Sequence, residues 1–167
     1  GAGGRKASRL TGEILSLEEL IDVAALFSSR PPLQGRRVVV LTNAGGLGIL
    51  CADACDAAGL ELPQLSEETR AALAAVLPQE ASTANPIDML GSASFDQYEQ
   101  VLPHLLEDEA VDALIVIFVP AASVTVEDVG EAIERATQGQ AKPVLPVLMG
   151  GAHPGSFPYP ESAARAL

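Results

Sequence analysis

Three short apolar runs rich in β-branched residues constrain the fold of this chain more than any other feature. They are Val38-Val39-Val40-Leu41, the stretch from Val111 to Val119, and the stretch from Pro143 to Met149. Runs of this kind have almost no polar face, so they predict strands covered on both sides. Between them, apolar residues recur at helical spacing. Ile49 to Ala58 reads as a helix ended by Gly59. Ser66-Glu67-Glu68-Thr69 opens a second helix, stopped by Pro78. Ser94 to Leu106 is a third, which Pro103 is expected to kink or split, and Thr125 to Ala136 is a fourth. Leu60-Glu61-Leu62 reads as a short strand, Ala84 to Gly91 as turn-rich, Phe157 to Pro160 as a loop or short strand, and Glu161 to Leu167 as the start of a helix. Strands alternating with helices predict an open, mostly parallel α/β sheet, doubly wound through right-handed crossovers.

Upstream, Ser16 and Glu19 form a capping-box pattern for a helix that should end before Pro31-Pro32. Gly1 to Lys6 reads as mobile. The organisation expected is a flexible segment over 1–15 and one domain over 16–167. The chain begins at Gly1 rather than Met, which suggests a fragment of a larger multidomain protein. With 48% apolar and 19% charged residues, disorder is excluded. Ten Lys and Arg stand against 22 Asp and Glu, for a net charge of −12. That balance counts against nucleic acid and against an anionic membrane surface as partners. No apolar run approaches the roughly 20 residues of a membrane span, and no secretion signal is visible. Cys51 and Cys55 are four apart. They read as buried small hydrophobes in a reducing cytoplasm rather than a redox or metal pair, since no third ligand lies nearby.

Ligands of parallel α/β sheets sit beyond the carboxyl ends of the strands. That rule selects Thr42 to Gly48, Pro120 to Ser123 and Gly150 to His153, with Asn85 to Gly91 able to join them. In Asn43-Ala44-Gly45-Gly46-Leu47-Gly48, glycines allow close approach to an anion. The first helical N–H groups are unpaired, and Asn43 adds an amide donor. The same residues also suit a plain tight turn. Neither the dinucleotide pattern G-x-G-x-x-G nor the phosphate-loop pattern is matched, which disfavours a nucleotide-binding Rossmann domain. Asn85 and Asp88 bring an amide and a carboxylate together, or make an Asx turn. His104 reads as a surface or packing residue. His153, at a strand end, is a further candidate. No catalytic triad, metal-ligand cluster or pair of catalytic carboxylates can be assembled.

Several stretches in the same order carry a resemblance. They are Val38 to Gly48, Asp53 to Leu62, Leu65 to Thr69, Ala84 to Asp88, Val111 to Pro120, Lys142 to Leu145 and Met149 to Gly151. Together they resemble the NDP-forming acyl-CoA synthetases of the succinyl-CoA synthetase superfamily, over roughly Leu10 to Gly151. The resemblance implies the flavodoxin-like ligase domain, which packs against a domain carrying a phosphorylated histidine. It implies a reaction joining a carboxylic acid to coenzyme A with ATP, through an acyl phosphate and the phosphohistidine. Coenzyme A, ATP or ADP and magnesium would be handled by the CoA-binding and ATP-grasp domains, and none by this domain alone. Asn43, Ala44, Gly45, Gly46 and Gly48 would meet the acid and phosphoryl group. Pro120 and Ala121 would lead to a helix whose amino end faces the phosphohistidine. The Ser-His-Thr-Gly stretch that carries the family's histidine has no match here. Ala152 to Pro158 is too short for the helix and strand the family places there, so segments are absent or the sheet has lost an edge strand. The alternative is a non-catalytic regulatory synthetase-like domain, as in fusions to a protein acetyltransferase.

Overall fold

The structure is a computed structural model that describes residues 33–121, 124–151 and 153–167; the helix expected after Ser16 and the mobility expected of Gly1 to Lys6 concern residues outside these. Val38–Thr42 form β1, buried throughout. Gly45–Ala57 form α1 and Glu67–Val76 form α2, the latter capped by Ser66. Ile87–Asp88 form the short β2, and Phe95–Glu107 form α3. Ala113–Phe118 form β3, Val126–Thr137 form α4, Val144–Leu148 form β4 and Pro160–Ala166 form α5. The sheet runs β2-β1-β3-β4 with every pairing parallel, the winding expected of a flavodoxin-like fold. Among the described residues, no helix is long and apolar enough to cross a membrane.

Strand periodicity sorts the core into two layers. Val39, Leu41, Leu114, Val116 and Phe118 face one cluster with Leu73 of α2, Tyr98 and Leu102 of α3, and Val129 and Ile133 of α4. Val38, Val40, Ile115 and Ile117 face the other, with Cys51 and Cys55 of α1 and Ala163 and Ala164 of α5. Helices therefore cover both faces, as the continuous apolar strands require. The two cysteines are fully buried packing residues. Hydrogen bonding to Cys55 and burial together hold the Cys51 thiol above the ordinary cysteine range.

The structure departs from the sequence reading in four places. The turn-rich Ala84 to Gly91 contains β2, and Leu60 to Leu62 makes only a single bridge, Glu61 with Arg37. Helix α1 begins at Gly45 rather than Ile49, so three glycines lie inside it. Pro103 neither ends nor splits α3, because Tyr98, Val101, Leu102, Leu105 and Leu106 are all buried and outweigh one lost backbone bond. Finally, β4 is the margin of the sheet, where Phe157 alone pairs with Val147.

At the amino edge of the sheet, Asp112 ties β3 to the lead-in of β1. Its Oδ2 accepts the Arg36 and Arg37 backbone N–H groups at 3.0 and 2.9 Å, and Arg37 Nη2 donates to its Oδ1 at 2.7 Å. These bonds, Arg37's side chain foremost, hold the Asp112 carboxyl down to about 2.

Candidate functional site

Because the strands are all parallel, their carboxyl ends and following loops share one edge of the sheet. The loops touch in sequence. The Met89 N–H donates to the Thr42 carbonyl at 2.8 Å, and the Met149 N–H donates to the Phe118 carbonyl at 2.9 Å. Pro120 lies against Gly150, whose φ of 80° is the left-handed conformation that glycine adopts freely. The structure thus brings together Asn43, Ala44, Gly45, Gly46, Gly48, Asp88, Pro120 and Ala121. The Asn85 amide is turned to β1, bonded to Val38 and Val40.

The amino end of α1 is the chemical centre of this edge. Thr42 Oγ1 accepts the Ala44 N–H at 2.9 Å, which turns the chain out of β1. Ala44 is the N-cap and offers no side-chain cap, and the first turn of α1 holds no acidic residue. The N–H groups of Gly45 and Gly46 make no hydrogen bond to the protein. By contrast, Ser66, Ser94 and Thr125 cap α2, α3 and α4, each with an acidic residue in the first turn. Two orphan donors and a positive helix end are therefore left facing solvent at α1.

Each glycine there has a different reason. A Cβ on Gly46 would meet nothing within 4 Å. A Cβ on Gly45 would collide with the Asp88 carboxylate, which borders the helix end while its Oδ1 accepts the Leu90 N–H at 2.9 Å. Gly48 is buried, and a Cβ on it would lie 3.0 Å from Thr42 Cγ2. Gly48 is thus held close against β1 and against Pro86, 3.4 Å from the same Cβ.

The two asparagines do not offer free amides. Asn85 Oδ1 accepts the Val40 N–H at 3.0 Å, and its Nδ2 donates to the Val38 carbonyl at 2.9 Å. It serves as a surrogate strand residue along β1, which is why β2 can be so short. Asn43 pairs with Val119 in both directions at 2.8 Å. His153 packs its ring onto Gly130 of α4, with Nε2 3.8 Å from Glu134, and does not join the α1 end. His104, in the last turn of α3, borders a separate cavity of about 500 Å³ with Glu68, Glu107 and Asp108. That cavity contains none of the loop candidates, and one of about 320 Å³ between α4 and β4 takes in only His153 among them. Sequence reasoning missed the exposed Ile49 and Leu50, 64% and 51% accessible, one turn from the bare helix end. Their signal was present as two large apolar residues directly after Gly48. Among the described residues, no three His, Cys, Asp or Glu side chains converge as metal ligands.

Comparison with known proteins gives this edge its context. The chain is 40% identical over 140 residues to the alpha subunit of ADP-forming acetate–CoA ligase II of Pyrococcus furiosus, covering 81% of this chain and 30% of the relative. It is 40% identical over 120 residues to ADP-forming acetate–CoA ligase I of Archaeoglobus fulgidus, covering 71% of this chain and 17% of the relative. The dinucleotide-forming acetyl-coenzyme A synthetase 1 of Ca. Korarchaeum cryptofilum, solved in complex with phosphate and ADP, superposes with a TM-score of 0.83 at 31% identity. That superposition covers 91% of this chain and 36% of the synthetase. The chain thus spans well under half the length of each of these proteins. The sequence profile of the Ligase-CoA domain matches residues 38–154, which takes in the whole parallel sheet and every loop at its carboxyl edge, and the chain belongs to that family.

Proposed function

We propose that this chain is the part of an ADP-forming acid–CoA ligase that lines the acid and phosphoryl site. The observation that carries this reading is the bare amino end of α1, where the Gly45 and Gly46 N–H groups are unbonded beside open space. An oxyanion, phosphoryl or acyl phosphate, is received there by backbone donors and the helix dipole. Asp88 bounds the pocket on the Gly45 side, so the anion lies over Gly46. Pro120 and Ala121 form the facing wall. Coenzyme A, the nucleotide with its magnesium and the phosphohistidine belong to neighbouring domains of the same protein or a second subunit. No step is assigned to them through these residues. Ile49 and Leu50 extend the wall as an apolar rim for the histidine domain.

The test joins this chain to the histidine and ATP-grasp domains of an ADP-forming ligase and assays acetate, coenzyme A and ATP. The assembled protein makes acetyl-CoA, and this chain alone makes none. Gly46→Val removes turnover without changing the melting temperature. Full turnover in the Gly46→Val protein would sink the reading.

A further inference from the structure

In the order β2-β1-β3-β4, the chain winds outward in opposite directions from the β1/β3 pair. The crevice of such a sheet opens between those two strands. Here it is bridged. The β1–β3 register ends at Thr42 with Ile117. One step further, Asn43 Oδ1 accepts the Val119 N–H at 2.8 Å and Asn43 Nδ2 donates to the Val119 carbonyl at 2.8 Å. Asn43 is 4% exposed. A primary amide presents one donor and one acceptor in a plane, so it substitutes for a peptide unit and prolongs the ladder. Asp offers acceptors only, and Ala offers neither group.

The two backbones tied in this way diverge at once. One leads to Ala44, Gly45 and Gly46, the other to Pro120 and Ala121. We infer that Asn43 is a positioning residue: it does not receive the ligand, but fixes the α1 donors against the Pro120–Ala121 wall. The inference rests on the proposed anion site, and it explains why an asparagine beside that site spends its amide on Val119. The same strand pair is tied at its other end by Asp112. Asp112 therefore supplies a control that weakens the pair without touching the site.

The experiment uses the ¹⁵N-labelled chain as parent, Asn43→Ala, Asn43→Asp and Asp112→Asn. Inorganic phosphate is titrated against the Gly45 and Gly46 amide signals, and backbone order parameters are measured without phosphate. Both Asn43 variants are expected to bind phosphate about tenfold more weakly. Both should lower order parameters at Ala44–Gly46 and at Ala121 together. Asp112→Asn should lower the melting temperature while leaving phosphate affinity within about twofold. If the Asn43 variants bind like the parent, or loosen Val119 alone, the positioning role is overturned. If the parent's Gly45 and Gly46 signals ignore phosphate, the anion reading fails by itself. The order parameters then still decide on Asn43: joint loosening of the two loops upholds the tie, and anything less overturns it. If neither Asn43 variant folds, Asn43 is a folding residue and the inference is overturned.

Discussion

Gly46 and Gly48 stand two residues apart and answer to different forces. Gly46→Val places its side chain in open space, so its effect on stability should stay within about 0.5 kcal/mol. Gly48→Val must push Thr42 aside and should cost about 1–3 kcal/mol, lowering the thermal midpoint. Calorimetry on both variants separates the two, and equal midpoints would refute the assignment. Before the fold was known these glycines could not be told apart, because sequence shows that a residue lacks a side chain but not what would fill the space. The asparagines were opaque for a related reason. Asn43 and Asn85 were legible as amides near a site, yet their partners are backbone groups 76 and 45 residues away. Only the closed sheet reveals that those amides are already used.

At the scale of elements, the long apolar runs and the helix starts at Ser66, Ser94 and Thr125 were legible. β1, β3 and β4, and the starts of α2, α3 and α4, fall where the residues place them. What failed was short-range inference against tertiary context. β2 is two residues long and is held by β1 and by Asn85, so nothing in its own composition announces a strand. Helix α1 invites a direct test of why it is uncapped. Ala44→Asp should add a side-chain acceptor for the first-turn N–H groups and stabilise the chain by about 1 kcal/mol. The same acceptor would occupy the proposed anion position, so phosphate binding should fall as stability rises. A variant that gains both would contradict the site. The amino-edge tie carries a pH signature. Asp112 sits at about 2 in the folded chain against 3.8 unperturbed. Its contribution is therefore complete above roughly pH 4, declines as pH falls toward 2 and is absent below. With Asp112 only 12% exposed, Asp112→Asn should cost at most about 2 kcal/mol near neutrality. Urea midpoints for parent and variant should converge as the pH approaches 2. A constant gap would show that the carboxylate's charge is not what holds the strands.

Taken whole, the molecule carries a net charge of −12, with Asp53 and Asp56 exposed on the later turns of α1, yet the first turn of that helix holds no charged residue. Ile49 and Leu50 are exposed there, beside the bare loops. Changing both to Asp should leave the thermal midpoint unchanged and abolish association with a histidine domain of an ADP-forming ligase, measured by calorimetry at physiological salt. Retained association would remove the apolar rim from the proposal. The margins of the sheet are treated in the opposite way. On one side Ser82 exchanges both backbone hydrogen bonds with Asp88. On the other, Pro146 has no N–H to give, and its carbonyl already accepts the Phe157 N–H at 2.7 Å. An incoming strand from another molecule finds no continuous row of groups to copy at either border. Crowding many copies together should therefore not seed fibrils, however readily the face around α1 finds its own neighbour.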